Sequence, residues 1–227
     1  MNNSPESSVD ILIVGAGVAG LLAAADLQAN GFRPLVVDKG RGVGGRLATR
    51  RIGTAAFDHG AQFITARTPR FAALLDSWRA QGVLAEWYRG AEDAHIRWRG
   101  APGMTAPAKH LAQSLNVRLE MKLLALHPEQ TGWRAVFENG ETLTARAALL
   151  TAPVPQSLAV LDAGGVRLEA ATRAQLEAID YEPCIAVMAA LHAPSRLPSP
   201  GFLRLESEPI AWLADNQTKG VSAVPSI

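Results

Sequence analysis

Apolar positions along the chain change period several times, and each change marks an element. Ile11 to Val14 is a short run, β-branched at three of four positions, that stops at Gly15 and suits a buried parallel strand. Leu21, Leu22, Ala23, Ala24, Ala25 and Leu27 continue as a helix that Asn30-Gly31 ends. Pro34 to Val37 is a second strand, closed by Asp38. Arg51 to Gly60 predicts a strand and turn, and Pro69 to Gly82 a helix with Phe71, Leu74, Leu75 and Trp78 at three-to-four spacing. Val83 to Trp87 and Ile96 to Trp98 are short strands around the turn Gly90 to Asp93. Pro102-Gly103-Met104 opens a further helix with Leu111, Ala112 and Leu115 on one face. Val117 to Leu119 and Lys122 to Leu126 are strand-like, and Asn139-Gly140 between Trp133–Phe137 and Thr142–Ala145 signals a hairpin. Ala147 to Leu150 predicts a buried strand whose end, Thr151-Ala152-Pro153, leaves the first domain. Leu168 to Ile179 predicts a helix, and Ile185 to Leu191 and Ile210 to Leu213 predict strands.

The first strand and helix enclose Gly15, Gly17 and Gly20, a G-x-G-x-x-G turn. Gly15 permits the tight turn, Gly17 removes a Cβ where a pyrophosphate approaches the backbone, and Gly20 lets helix and strand pack closely. Val18 and Ala19 belong to the same turn and put free N–H groups at the helix start, where anions bind. Asp38, eighteen residues past Gly20, is placed to accept hydrogen bonds from ribose hydroxyls. Together these residues predict a dinucleotide site, although this motif alone does not separate NAD from FAD. Lys39 and Arg41 follow the acid, then Gly44, Gly45 and Arg46. The paired glycines are expected to let a second helix start lie against the pyrophosphate, with Arg46 neutralising it.

Further on, Gly60 and Ala61 bring backbone, and Gln62 a side-chain amide, toward the reactive ring; Asp58 either joins them or caps its turn. His59 is a candidate general base. Trp78 reads as core, and Trp87 and Trp98 as either core or the walls of a pocket for a flat ligand.

Composition removes several alternatives. The 227 residues are 48% hydrophobic and 19% charged, which is globular, and 22 Lys+Arg against 21 Asp+Glu argue against a nucleic-acid partner held by bulk charge. The single cysteine, Cys184, permits no intrachain disulfide, and the five histidines match no metal spacing, so no metal is expected. Met1 to Val9 is polar and is not read as a signal peptide. No apolar run approaches spanning length, so no membrane contact and a cytoplasmic location are expected.

The doublet Gly44-Gly45-Arg46-Leu47-Ala48-Thr49-Arg50 after the acid, Phe57-Asp58-His59-Gly60-Ala61-Gln62-Phe63-Ile64, Tyr181-Glu182-Pro183-Cys184 and Trp212 to Gly220 resemble the flavin amine oxidase superfamily, in its bacterial renalase-like branch. The resemblance implies an α/β fold: a Rossmann-like FAD-binding domain with a three-layer, mostly parallel sheet, plus a smaller α+β substrate domain with an antiparallel sheet. It implies FAD-binding segments at 1–66 and 100–155 and substrate-domain segments at 67–99 and 156–227. The backbone at Leu123 would meet the adenine. The implied reaction is oxidation of isomeric dihydro-NAD(P), with hydride passing to flavin N5 and oxygen reduced to hydrogen peroxide. Trp212 and Asn216 would face the substrate; Asn216 reads equally as a strand-end turn residue. Alternatives are a flavin amine oxidase and a nucleotide-binding fragment without catalysis. Relatives of this type continue past the point where this sequence stops at Ile227, so the resemblance points to a shortened member without their C-terminal FAD segment.

Overall fold

A computed structural model describes residues 8–206 and 209–227; residues 1–7, most of the polar leader stretch, lie outside the described residues. In chain order the elements are β1 (Ser8–Val14), α1 (Val18–Ala29), β2 (Pro34–Val37), β3 (Thr49–Ile52), β4 (Ala55–Asp58), α2 (Pro69–Ala80), β5 (Leu84–Arg89), β6 (Ile96–Gly100), α3 (Ala106–Ala112), β7 (Val117–Arg118), β8 (Leu123–Glu129), β9 (Gly132–Phe137), β10 (Thr142–Leu150), α4 (Val154–Ala163), α5 (Ala170–Glu177), β11 (Phe202–Arg204) and β12 (Trp212–Ala214). They form two compact units. Unit 1 comprises residues 1–45 and 111–184, and unit 2 residues 46–110 and 185–227. The sequence reading placed the changes of segment at 66/67, 99/100 and 155/156.

Unit 1 is built on a six-stranded sheet in the order β7-β2-β1-β10-β9-β8. Strands β7, β2, β1 and β10 run parallel, and β10, β9 and β8 form an antiparallel meander. This mixed sheet with helices is the expected Rossmann-like α/β domain. Its core joins Leu12, Leu35, Val37, Met121, Leu126, Phe137 and Leu143. β2 is buried throughout, as a central parallel strand with no polar face requires. Asn139-Gly140 turns the β9–β10 hairpin, with Gly140 at φ +84°.

Among the described residues unit 2 has three two-stranded antiparallel pairs, β3–β4, β5–β6 and β11–β12, with α2 and α3. Trp78 and Leu75 on α2 are buried, so Trp78 is core. The charge is unevenly divided. Unit 1 has nine Lys+Arg against thirteen Asp+Glu, a net −4, and unit 2 has thirteen against eight, a net +5.

Several expectations change. No helix begins at the glycine doublet: Gly44 and Gly45 have φ of +118° and +55°, which a right-handed helix does not contain, and Gly44 bridges to Gly17 as an isolated parallel pair. Ala147 to Leu150 is not a separate buried strand but the end of the nine-residue β10, with Leu149 exposed. Ile185 to Leu191 is not a strand. Only residues 189–191 find backbone partners, at 225–227, and Ile185 and Val187 are 90% and 82% exposed because nothing pairs or covers them within the described chain. The helix after Pro102 begins only at Ala106. Helix α4, with proline in its first turn and Gly164 at its C-cap, follows directly on Thr151-Ala152-Pro153, the segment expected to leave the first domain, and no element was expected there.

Candidate functional site

In unit 1 the glycine turn has two kinds of glycine. A Cβ on Gly20 would stand 2.0 Å from the Gly15 carbonyl oxygen, so packing alone demands glycine there. Gly15 has φ +115°, and a Cβ on it would meet the Thr151 hydroxyl at 2.6 Å. That hydroxyl lies 3.0 and 3.2 Å from the carbonyl oxygens of Val14 and Gly15 and ties β10 to the end of β1. Gly17 is different. Its φ of −72° and ψ of 172° suit any residue, and a Cβ there would meet no atom within 4 Å. It is the N-cap of α1 and supplies no capping side chain, so the N–H groups around Val18 and Ala19 keep their capacity for an anion.

Asp38 closes the turn from the far side. Its Oδ2 accepts the Ala16 N–H at 2.7 Å and its Oδ1 the Gly40 N–H at 2.7 Å, which leaves further lone pairs for ribose hydroxyls. Gly44 donates its N–H to the Ala16 carbonyl at 2.9 Å, and a Cβ on Gly45 would lie 3.5 Å from the Gly17 Cα. Gly15 to Gly20, Asp38, Gly44 and Gly45 therefore converge. Lys39 and Arg41 are exposed; Lys39 donates to Gln156 and Arg41 lies 3.8 Å from Glu120. Leu123 has its side chain in the sheet core with Val37 and Met121. An open, unstrained glycine at the uncapped start of a twelve-residue helix, with a carboxylate across the turn, fits the pyrophosphate and ribose of a dinucleotide.

In unit 2 the candidate residues gather around Asp58. His59 and Ala61 donate backbone N–H to the carbonyls of Ala48 and Arg46, at 3.0 and 2.9 Å. A Cβ on Gly60 would stand 2.1 Å from the Arg46 oxygen, so this segment must carry glycine to lie beside 46–48. The Arg46 side chain is exposed and His59 half-buried. Asp58 Oδ1 accepts from the Thr49 hydroxyl and the Met104 N–H, and Oδ2 lies 2.8 Å from Lys219 Nζ, both side chains fully buried. Burial holds Lys219 below the ordinary lysine range; attraction to Asp58 opposes this, and nearby Arg99 adds to it. The Gln62 amide is internally engaged: Nε2 donates to the carbonyls of Asp58 and Gly60 at 2.6 and 3.3 Å, and Oε1 accepts from Lys219 at 3.2 Å. Asn216 is buried, and its Oδ1 accepts the Asp58 N–H at 3.0 Å.

Trp212 stacks on Phe202 with ring centroids 4.6 Å apart and planes at 7°. Phe63, Trp87 and Tyr88 complete the cluster. Lys219 Nζ lies 4.7 Å over the Trp87 ring, and the Arg97 guanidinium 5.2 Å over Phe63. Trp212 Nε1 is buried without an acceptor among the described residues, which costs about 1–3 kcal/mol. Trp87 Nε1 by contrast donates to Pro200 at 2.8 Å, and Trp98 is buried. Sequence reasoning missed Lys219, Arg99 and the aromatic partners Phe63, Tyr88 and Phe202. Lys219 lies in the Trp212–Gly220 run and Phe63 in the Phe57–Ile64 run, which marked a resemblance but gave neither a partner; Arg99, Tyr88 and Phe202 carried no signal.

The fold and the turn define a dinucleotide-binding protein of Rossmann type. Residues 13–78 match the family model of the NAD(P)-binding Rossmann-like domain, and residues 71–219 that of the flavin-containing amine oxidoreductases. The second match spans most of the chain, and the chain belongs to that family. An L-amino acid dehydrogenase of Synechocystis is 33% identical over 79 residues, 34% of this chain and 17% of that protein. A Mycobacterium tuberculosis protein described as a flavin-containing monoamine oxidase, AofH, is 43% identical over 99 residues, 43% of this chain and 21% of that protein. The chain thus spans about a fifth of the length of these relatives. Putrescine oxidase bound to putrescine superposes with a TM-score of 0.57 at 16% identity over 69% of this chain and 60% of that one. A fatty acid isomerase from P. acnes gives 0.59 at 12% identity over 74% and 63%. At these identities the likeness is one of fold. Among the described residues no helix is long and apolar enough to cross a membrane.

Proposed function

We propose that this chain carries the nucleotide-binding part and much of the substrate part of an FAD-dependent oxidoreductase. FAD is the cofactor of the family to which it belongs. Gly17 carries the reading for this chain: neither packing nor backbone geometry requires glycine there, and the space it leaves is where a pyrophosphate approaches. The N–H groups at the start of α1 would hold that pyrophosphate, and Asp38 the ribose. FAD held there would supply two-electron redox chemistry, accepting a hydride equivalent that oxygen would take up as hydrogen peroxide. In unit 2 Lys219, paired with Asp58, donates to Gln62, and the Asp58 N–H donates to Asn216, so these side chains would be held in place before a substrate arrives.

The donor in the first reading is an isomeric dihydro-NAD(P), with oxygen as acceptor and a cytoplasmic location. A second reading, a flavin amine oxidase, is favoured by the family match over residues 71–219. Purified protein should take up FAD and show the two visible bands of oxidised flavin, and protein that takes up none ends both readings. Anaerobic mixing of the loaded protein then separates them. Bleaching by isomeric dihydro-NAD supports the first, and bleaching by a primary amine supports the second.

A further inference from the structure

The two readings differ in the charge of the donor, and unit 2 carries a bias on that point. Lys219 is compensated by Asp58 at 2.8 Å, and Arg97 by Asp93 at 2.9 Å. Arg99 is the neighbouring cation left over. It sits in β6 on the same side as Arg97, two residues on, and is half-buried. It joins no ion pair among the described residues. Its two hydrogen bonds both run from Nη1, to the carbonyls of Gly100 and Gly220, and are long at 3.4 and 3.3 Å. Nε and Nη2, the edge that matches an oxyanion with two parallel bonds, have no acceptor among the described residues. Burial pulls Arg99 below its ordinary value while Asp58 pulls the other way, and Arg99 in turn acts on Lys219, so the three charges share one environment.

Two independent observations point the same way. Trp212 Nε1 is a second donor without an acceptor, in the aromatic cluster against which Lys219 packs. Two rings of that cluster already carry a cation over a face, Trp87 the Lys219 ammonium and Phe63 the Arg97 guanidinium. An unpartnered indole N–H beside rings that already carry cations suits a ligand with a flat apolar body and an anionic group better than a lone ammonium.

We propose that unit 2 recognises the anionic group of the substrate, a carboxylate or phosphate, through the free edge of Arg99, and discriminates against simple monoamines. This deepens the oxidoreductase reading above and rests on it for the word substrate; the anion site itself does not.

The test follows the Arg99 Nε–Hε cross-peak by NMR, assigned by its loss in R99K, as the whole protein is titrated with sodium benzoate, inorganic phosphate or benzylammonium chloride at constant ionic strength. A saturable shift with benzoate alone assigns a carboxylate, and one with phosphate alone or with both assigns the wider oxyanion class. Benzylammonium should produce none. In R99M, benzoate or phosphate binding, read on the tryptophan indole peaks, should weaken at least about tenfold, the loss of one charged hydrogen-bonded contact. If R99M does not fold, R99K is read instead, with a weakening of about threefold or more expected from loss of the fork. No saturable shift with either anion, unchanged affinity in the variant that folds, or benzylammonium binding as tightly as benzoate overturns the proposal. The same samples are titrated with FAD. Anion binding without FAD binding ends the flavin reading alone, and FAD binding without anion binding ends this proposal alone.

Discussion

Unit 1 carries a net charge of −4 and unit 2 one of +5, yet the pyrophosphate site proposed above lies in the negative unit. In unit 1 the anion-binding capacity is backbone: uncapped N–H groups at the start of α1 and an absent Cβ at Gly17. Its basic side chains near the turn, Lys39 and Arg41, point outward to Gln156 and Glu120. In unit 2 the polar arrangement is made of side chains, with a fully buried Asp58–Lys219 pair and an Arg99 edge that has no acceptor among the described residues. Net charge therefore does not locate a phosphate site, because oriented amides act at contact distance whereas bulk charge is screened within about 10 Å.

The largest test of this contrast lies in unit 2. K219M strands the Asp58 carboxylate in a buried site and should cost about 3–5 kcal/mol, read from urea unfolding. D58N/K219M removes both charges and should recover most of that loss. A double variant as unstable as K219M would show that packing of the lysine stem, not charge, holds this part of unit 2.

In unit 1 the decisive pair is G20A against G17A. The first drives a methyl into the Gly15 carbonyl and should cost about 3 kcal/mol or more of stability. The second should change stability by no more than about 1 kcal/mol while weakening FAD binding at least about tenfold, because its methyl meets only the ligand. Equal effects of the two on stability would mean that Gly17 serves packing after all. D38A should fall between them. It leaves the Ala16 and Gly40 N–H groups without their acceptor, at about 1–3 kcal/mol, and weakens FAD binding as well, read by unfolding and by flavin fluorescence.

The smallest effect expected is one of pH, again in unit 2. Burial disfavours the Asp215 carboxylate, but hydrogen bonds from the Ser195 hydroxyl and from the Thr218 N–H and hydroxyl, with the Gln217 N–H, outweigh it and hold its pKa below 3.8. A depressed carboxylate stabilises the fold above the unfolded value and loses that contribution as pH falls below 3.8 through the folded one. Urea midpoints should therefore drop as pH falls below about 4, and D215N should flatten that part of the profile. An unchanged acid limb in D215N would assign the loss to other carboxylates.

Much of unit 1 was legible because its signals are local. Four apolar residues before Gly15, glycines at fixed spacing, a Gly-stopped helix and an acid at the next strand's end are each set within a few residues. The hairpin at Asn139-Gly140 was legible for the same reason. The errors were also local in origin. The doublet was expected to start a helix, but Gly44 and Gly45 adopt positive φ, a freedom that glycine permits without announcing it. Ile185 to Leu191 has the composition of a strand, but a strand exists only where another backbone receives its hydrogen bonds, and residues 185–188 have none.

By itself the sequence determined the glycine turn, the acid at the end of the second strand and the superfamily, because each depends on residues close along the chain whose geometry the backbone enforces. Only the tertiary structure decided that Lys219 is sealed against Asp58, 161 positions away, and that Arg99 joins no ion pair among the described residues. Pairing of buried charges is settled by which side chains the fold excludes from water together, and no spacing in the chain encodes that.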